Sequence, residues 1–236
     1  MVPSAHEKTG PPSEGSDQNA EARGIAVGTL EQLLASATDF DRAAGSSTDA
    51  EKWFLAESES LLQWAEKTGK FLLPAEFRRL IEGFKLLEGG LEHQVFFRKR
   101  GGRVFKITKP PHFGHTWYLK DYVQNLIWCN LAFEDDFRLE GVIATEDGVS
   151  LVVSQPYIIG RSPIEAELEE WFQLQACVRI GPHKWRYPHG LTVSDAHPGN
   201  LILMRDGTMV PIDLHVDKFP PEAMPEELRD YNPTQS

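Results

Sequence analysis

The chain has 236 residues, of which 41% are apolar, and a formal net charge of −11 from 24 basic and 35 acidic residues. This composition permits a globular core, while the acidic balance without a basic block argues against a nucleic-acid or membrane-surface partner. No apolar run approaches the ~18 to 20 residues of a membrane helix, and no leader pattern begins the chain, so we expect a cytoplasmic protein.

The N-terminal part divides into two segments. Residues 1–47 are predicted to be a largely disordered tail, because MVPSAHEKTGPPSEGSDQNAEARG is rich in Pro, Ser, Gly and Glu and nearly lacks large apolar groups. Residues 48–87 have apolar side chains at helical steps, such as Trp53, Phe54 and Leu61. This pattern predicts a helical extension that serves packing more than chemistry.

The period then changes from helical to alternating. HQVFFRKRGGRVFKITKP predicts two strands around a glycine turn. On the second strand Lys106 shares one face with Val104 and Thr108, and the other face carries Phe105 and Ile107. Lys106 is therefore expected to be an isolated charge on one side of the hairpin.

A helix over residues 116–133 and two strands, FRLEGVIAT and VSLVVSQPYI, are predicted next. Another helix follows, in which Ser162 is the expected cap, Pro163 the first helical residue and Glu165 the capping-box partner. This order of elements predicts an α+β protein with a small β-rich lobe leading into a second lobe.

The last motif is SDAHPGNLILMRDGTMVPIDLHV, residues 194–216. A two-residue turn at Asp206-Gly207 would pair the flanking strands so that Asn200 lies opposite Asp213, with Cβ atoms ~4.5 to 5.5 Å apart. An amide oxygen and a carboxylate suit Mg²⁺, and the turn at 197–199 would bring Asp195 to the same place. The same residue types are also common beside turns, so the residues alone leave both interpretations open.

The D-x-x-x-x-N pattern, with an Asp thirteen residues after the Asn, resembles the protein-kinase-like superfamily, whose pattern is H-R-D-x-x-x-x-N and then D-F-G. DAHPGN is more similar to atypical members such as aminoglycoside phosphotransferases and ubiquinone-biosynthesis kinases. About residues 88–216 most resemble the kinase-like domain of bacterial and phage polyvalent proteins. The resemblance implies a compact two-lobed fold, with an N-lobe and hinge at 88–158, a reduced C-lobe with the catalytic loop at 159–218 and a C-terminal tail at 219–236.

The resemblance also implies a role for four polar residues. Lys106 matches the strand lysine that contacts the α- and β-phosphates of ATP. Asp195 matches the catalytic aspartate, which orients the acceptor hydroxyl and takes its proton. Asn200 and Asp213 match the ligands of Mg²⁺. ATP and Mg²⁺ are thus the implied cofactors.

Three further parts of the family pattern are less specific or incomplete in this chain: the interlobe hinge, the glycine-rich loop and the helix glutamate. Gln155 and Tyr157 fall in the interlobe hinge that contacts adenine, and Gly89 and Gly90 stand where the family has a glycine-rich loop, although G-x-G-x-x-G is absent. The helix glutamate that pairs with the lysine has no clear counterpart, and Asp121 is the nearest acid.

The leading prediction is an ATP- and Mg²⁺-dependent phosphotransferase that phosphorylates Ser, Thr or Tyr of a protein. Alternatives are a nucleotide-binding pseudokinase that serves as an interaction module, or a kinase of a small molecule. A less favoured hypothesis is a metal-dependent hydrolase with His197, His215, Asp195 and Asp213 as ligands.

Overall fold

The structure of the chain is a computed structural model that describes residues 14–44, 50–87, 91–98 and 102–220. The predicted α+β class is confirmed, and the arrangement is compatible with a compact kinase-like fold. The helices and strands, in chain order, are α1 (Glu14–Ala44), α2 (Ala50–Thr68), α3 (Pro74–Leu80), β1 (Lys85–Leu87), β2 (His93–Phe97), β3 (Arg103–Thr108), α4 (Leu119–Phe133), β4 (Arg138–Thr145), β5 (Gly148–Pro156), α5 (Glu165–Leu174), β6 (Val178–Gly181), β7 (Lys184–Arg186), β8 (Thr192–Ser194), β9 (Leu201–Leu203), β10 (Met209–Pro211) and β11 (His215–Lys218). No helix within the described ranges is long and apolar enough to cross a membrane.

The first sheet is antiparallel, with the strand order β1-β2-β3-β5-β4. In β3 the side chains alternate as predicted: Phe105 and Ile107 are buried with Val152 in a small cluster against the side of the sheet that α3 covers. Lys106, on the opposite face, lies between Val95 of β2 and Val153 of β5. Strand pairing thus positions one lysine on the inner face of the sheet.

The large core lies on that inner face, where α1 contacts β4 and α4, α2 contacts β4 and β5, and residues of α4 belong to the same cluster. The long apolar run of α4 fits this position, since most of the helix is enclosed. The same cluster continues into α5 and the second sheet, of order β11-β8-β7-β6, so one core joins both lobes.

The structure differs from the largely disordered tail predicted over 1–47, because α1 occupies Glu14–Ala44. The physical reason is an apolar face at helical spacing: Leu30, Leu33, Leu34 and Ala37 are all at most 2% exposed in the large core. The polar composition that suggested disorder ends before this face begins. Residues 1–13 and 45–49 lie outside the described residues.

Two further segments differ from the predicted boundaries. The helical extension predicted over 48–87 contains α2 and α3, but its end forms β1, which pairs with β2. In the predicted C-terminal tail, Phe219 is buried against the core, and residues 221–236 lie outside the described part of the chain.

The predicted start of α5 at Ser162 is wrong, because the helix begins at Glu165. Arg161 is held in an extended conformation by two backbone hydrogen bonds to β9, of 3.1 and 2.7 Å. The helix therefore starts later, with Ile164 at the cap and its N–H donated to the carboxylate of Glu167 at 2.9 Å.

Candidate functional site

A cavity of about 380 Å³ lies between the first sheet and the β9–β10 hairpin. Its walls are mostly apolar, and the polar side chains among its lining residues are Lys106, Gln155, Asn200 and Asp213, with Tyr157 beside them. Five of the eight predicted site residues therefore line one cavity. Gly89 and Gly90 lie outside the described residues.

Lys106 and Asp213 form the central ion pair of the cavity. Lys106 Nζ donates hydrogen bonds to Asp213 Oδ1 at 2.7 Å and to the carbonyl of Ile212 at 3.1 Å. The lysine side chain is 7% exposed, whereas that of the aspartate is 41% exposed. Burial acts to raise the pKa of Asp213, but the positive charge of Lys106, with a smaller effect of His93, holds that pKa below its ordinary value.

The predicted hinge residues both contribute to this region. Gln155 Nε2 donates to the carbonyl of Ile212 at 3.0 Å, which ties the end of β5 to the segment that carries Asp213. Tyr157 donates its backbone N–H to the carbonyl of Gly102 at 3.0 Å, continuing the β3–β5 pairing. This amide is therefore already used by the sheet, although Tyr157 lines the cavity.

Asp195 begins the loop between β8 and β9 with φ +56°, a left-handed conformation that is uncommon outside glycine and recurs at functional sites. Ala196, which is fully buried, anchors the loop by donating its N–H to the carbonyl of His183 at 3.0 Å. Asn200 Nδ2 donates to Asp195 Oδ2 at 2.6 Å and to the backbone carbonyl of Asp195 at 2.9 Å. The predicted catalytic aspartate and metal-binding asparagine thus hold each other in place.

His197 lies next to the other oxygen of the same carboxylate. Its Nδ1 accepts the N–H of Gly199 at 3.0 Å, so a neutral imidazole carries its proton on Nε2. That nitrogen lies 3.6 Å from Asp195 Oδ1, beyond ordinary hydrogen-bond length. The two oxygens of Asp195 therefore have different neighbours, and the Oδ1 side is the more open one.

The register predicted for the β9–β10 hairpin is wrong by one residue. Leu203 pairs with Met209, and the Met204 N–H donates to the carbonyl of Thr208 at 2.8 Å, closing a loop of residues 205–207. Gly207 in this loop has φ +89°. A type I turn followed by a left-handed glycine produces such three-residue loops, in place of the predicted two-residue turn.

As a consequence, Asn200 lies opposite Ile212, whose N–H donates to the Asn200 carbonyl at 2.9 Å. Asp213 lies one residue beyond this pair, between β10 and β11. Asn200 and Asp213 still line the same cavity, because the chain leaves the hairpin at this point, but they are not the directly opposed pair that the sequence predicted.

Helix α4 contacts the segment around Asp213 through neutral groups. Asn125 Oδ1 accepts the N–H of Val216 at 2.8 Å, and the thiol of Cys129 donates to the carbonyl of Leu214 at 3.3 Å. Within the described part of the chain, Asp121 makes no ion pair with Lys106. Neither α4 contact was predicted from the sequence. The one sequence signal for them is that Asn125 and Cys129 lie a helical turn apart on a buried face of the helix.

Asp135, which follows α4, was also missed. It is 8% exposed, and neither carboxylate oxygen has a hydrogen-bond partner among the described residues. Burial raises its pKa to about 8, with the positive charge of Lys106 opposing this rise and the negative charge of Asp213 adding to it. Asp135 is therefore protonated at neutral pH, and Asp213 is the ionised partner of Lys106.

The hydrolase site predicted from four residues is not assembled in the described structure. His197 lies beside Asp195, whereas His215 forms a separate cluster with Glu92 and His115. The rings of His115 and His215 are stacked with centroids 4.0 Å apart. Desolvation of the partly enclosed ring, with the charge of His215, lowers the pKa of His115.

Comparison with known families gives a match. A family model described as Serine/Threonine/Tyrosine Kinase found in polyvalent proteins matches residues 55–217, which is more than half of the chain. The matched region runs from α2 to β11 and contains every residue that lines the cavity. A comparison with curated proteins found no match.

Proposed function

The chain belongs to the family of serine/threonine/tyrosine kinases found in polyvalent proteins, and on this premise we propose that it is a phosphotransferase that uses ATP and Mg²⁺. The observation that carries the proposal is the meeting of Lys106, Asn200 and Asp213 in one cavity, with Asp195 bonded to Asn200 beside it.

The cavity suits a nucleotide in size and in chemistry. Its volume of about 380 Å³ lies in the range of small-molecule sites. Val104 and Ile202 face it from the sheet and from the hairpin, and such apolar walls favour a planar base. Lys106 supplies a fixed positive charge for phosphate oxygens, because strand pairing and Ile212 hold its ammonium in place.

Asn200 and Asp213 fit the oxygen ligands of Mg²⁺. The amide nitrogen of Asn200 is used by Asp195, and its amide oxygen accepts no hydrogen bond from the residues that the structure describes. Asp213 keeps 41% of its side chain exposed, so one carboxylate can bind a metal while facing Lys106. When bound, Mg²⁺ would neutralise the negative charge that develops on the transferred phosphoryl group.

Asp195 is proposed to act on the acceptor. Asn200 orients its carboxylate through Oδ2, which leaves the Oδ1 side, next to His197, open to a hydroxyl group. There Asp195 aligns the hydroxyl of Ser, Thr or Tyr and takes its proton as the oxygen attacks. A small-molecule hydroxyl would be aligned in the same way, and the acceptor class is therefore a separate experimental question.

A pseudokinase is the second candidate, and one observation favours it. Lys106 is paired with Asp213, and no acidic side chain of α4 contacts this lysine in the described structure. If the pair persists in the nucleotide complex, the protein binds ATP without aligning it for transfer.

The nucleotide site is tested by thermal unfolding with ATP, in the presence and absence of Mg²⁺. We expect a rise in Tm that needs Mg²⁺ and that is lost in Asp213→Asn. Asp206→Asn is the matched control, because Asp206 is an exposed acid in the same hairpin and should leave the rise intact. If ATP has no effect on the wild-type protein, both kinase-like functions are wrong.

Transfer itself is tested by following the γ-phosphoryl group of ATP onto Ser-, Thr- and Tyr-containing peptides. Asp195→Ala should reduce transfer on the order of 10² to 10⁴-fold and change ATP binding far less, because Asp195 acts on the acceptor. The control is Asp147→Ala in the exposed β4–β5 turn. Saturable Mg²⁺–ATP binding by the wild-type protein without transfer to any acceptor would select the pseudokinase.

A further inference from the structure

Three potential metal ligands converge from distant parts of the sequence, beside the nucleotide site. Glu92 precedes β2, His115 lies between β3 and α4, and His215 begins β11. One ligand atom from each lies within 4.8 Å of the others. Because the three residues belong to different elements, the tertiary fold brings them together and no local turn accounts for the cluster.

These side chains have few competing partners. Among the described residues, none forms a hydrogen bond with the imidazole of His115 or His215, which contact each other by ring stacking. The Glu92 carboxylate lies 4.0 Å from Nδ1 of His93, which is beyond hydrogen-bond length, so this contact does not compete strongly with a bound cation.

The donor set selects the class of ion. Two imidazoles and one carboxylate are typical of Zn²⁺, which takes three protein ligands and leaves a fourth position for water or another ligand. Zn–ligand bonds of about 2.0 to 2.1 Å place tetrahedral ligands roughly 3.3 Å apart, so small side-chain rotations would close the 4.8 Å cluster. Mg²⁺ prefers oxygen ligands, and the two imidazoles disfavour it.

We propose that Glu92, His115 and His215 bind a transition-metal ion of the Zn²⁺ class, at a site separate from Asn200 and Asp213. His115 is exposed, which gives the ion a path from solvent. The bound ion links the segment before β2 and the β3–α4 segment to the start of β11, two residues after Asp213. It therefore restrains the part of the chain that carries the kinase-like metal ligand.

The test is calorimetric titration of the full chain with Zn²⁺, after chelation and dialysis and without nucleotide, so that its result does not depend on kinase activity. We expect one Zn²⁺ per chain. Glu92→Gln and His115→Ala should each weaken binding by at least about 10-fold, since each removes a direct ligand. The matched control is His112→Ala, which removes a nearby imidazole that packs on Trp117 with centroids 3.9 Å apart.

Co²⁺ provides a second readout, because its visible spectrum reports coordination by nitrogen and oxygen and becomes intense in four-coordinate sites. The wild-type protein and the His112→Ala control should give this spectrum, and the two ligand variants should not. Circular dichroism establishes that each variant is folded. The proposal is overturned by absence of stoichiometric Zn²⁺ binding, by unchanged affinity in the ligand variants, or by equal loss in the control, which would mean an adventitious ion only.

Discussion

The two halves of the Lys106–Asp213 pair differ in exposure, and this difference predicts unequal effects of removing them. Asp213→Asn leaves an ammonium that is 7% exposed and has no charged partner, with the Ile212 carbonyl and a neutral amide oxygen as acceptors. Lys106→Met leaves a carboxylate that is 41% exposed and can be hydrated. Asp213→Asn should therefore destabilise the protein more than Lys106→Met does.

The expected magnitudes follow from known ion pairs. Removing one partner of a buried pair costs about 3 to 5 kcal/mol, and exposed pairs contribute about 0 to 1 kcal/mol. For Asp213→Asn we expect about 2 to 3 kcal/mol, because the carboxylate is partly exposed and Ile212 retains its hydrogen bond. For Lys106→Met we expect about 1 kcal/mol or less, because the apolar replacement packs near Phe137.

The assay is urea unfolding followed by tryptophan fluorescence, on both single variants and the double variant. The double variant should be more stable than Asp213→Asn alone by about 1 to 2 kcal/mol, because no unpaired buried charge remains. Asp206→Asn controls for loss of an exposed acid. The reasoning is refuted if Lys106→Met is the more damaging change, or if the single effects add up to that of the double variant.

Three further predictions test the surrounding fold. Gly28→Ala should stabilise the protein by about 0.5 to 1 kcal/mol in urea unfolding, because Gly28 lies in α1 with open space at its Cβ position, whereas a disordered segment would show no change. Gly160→Ala should destabilise the protein by about 1 to 3 kcal/mol and weaken ATP binding, because its Cβ would lie 2.5 Å from the Leu203 carbonyl. Gly181→Ala is the control, because a Cβ at Gly181 would make only ordinary contacts. Equal effects of the two substitutions would contradict this packing. Burial raises the pKa of Glu57 from 4.5 to about 8, so the folded state binds a proton more tightly than the unfolded state and loses stability as pH rises through this window. Glu57→Gln should therefore gain stability relative to the wild-type protein between about pH 5 and pH 8, and identical pH profiles of the urea midpoint would refute this assignment.

The alternation in β3 could be predicted because it depends on local chemistry alone. Apolar side chains on one face and Lys106 on the other require only that the segment be a strand with one face against α3. The grouping of Lys106 with Asn200 and Asp213 was implied by the family resemblance of the motifs, and the fold brings these three residues into one cavity. These predictions needed no information on distant contacts.

The hairpin register and the start of α5 could not be predicted, because they depend on contacts between distant residues or on a choice between similar loop types. Asp206-Gly207 fits a two-residue and a three-residue loop equally well, because each needs a glycine with positive φ. Ser162 was the predicted cap of α5, but the pairing of Arg161 with β9 keeps the chain extended there, and the helix begins at Glu165. The asparagine and thiol of α4 carry no motif, so their role became visible only with β11 beside the helix.

The charges around the cavity also give a physical reason for the proposed metal requirement. At neutral pH Asp135 is neutral, and Lys106 is already compensated by Asp213. Phosphate groups brought to this place would meet the carboxylate of Asp213, with Asp195 close by through Asn200, and would be repelled. A divalent cation held by Asn200 and Asp213 would supply the positive charge that reverses this balance, and Lys106 could then bind phosphate. ATP alone is therefore expected to bind weakly, and this dependence comes from the arrangement of charges rather than from any single ligand.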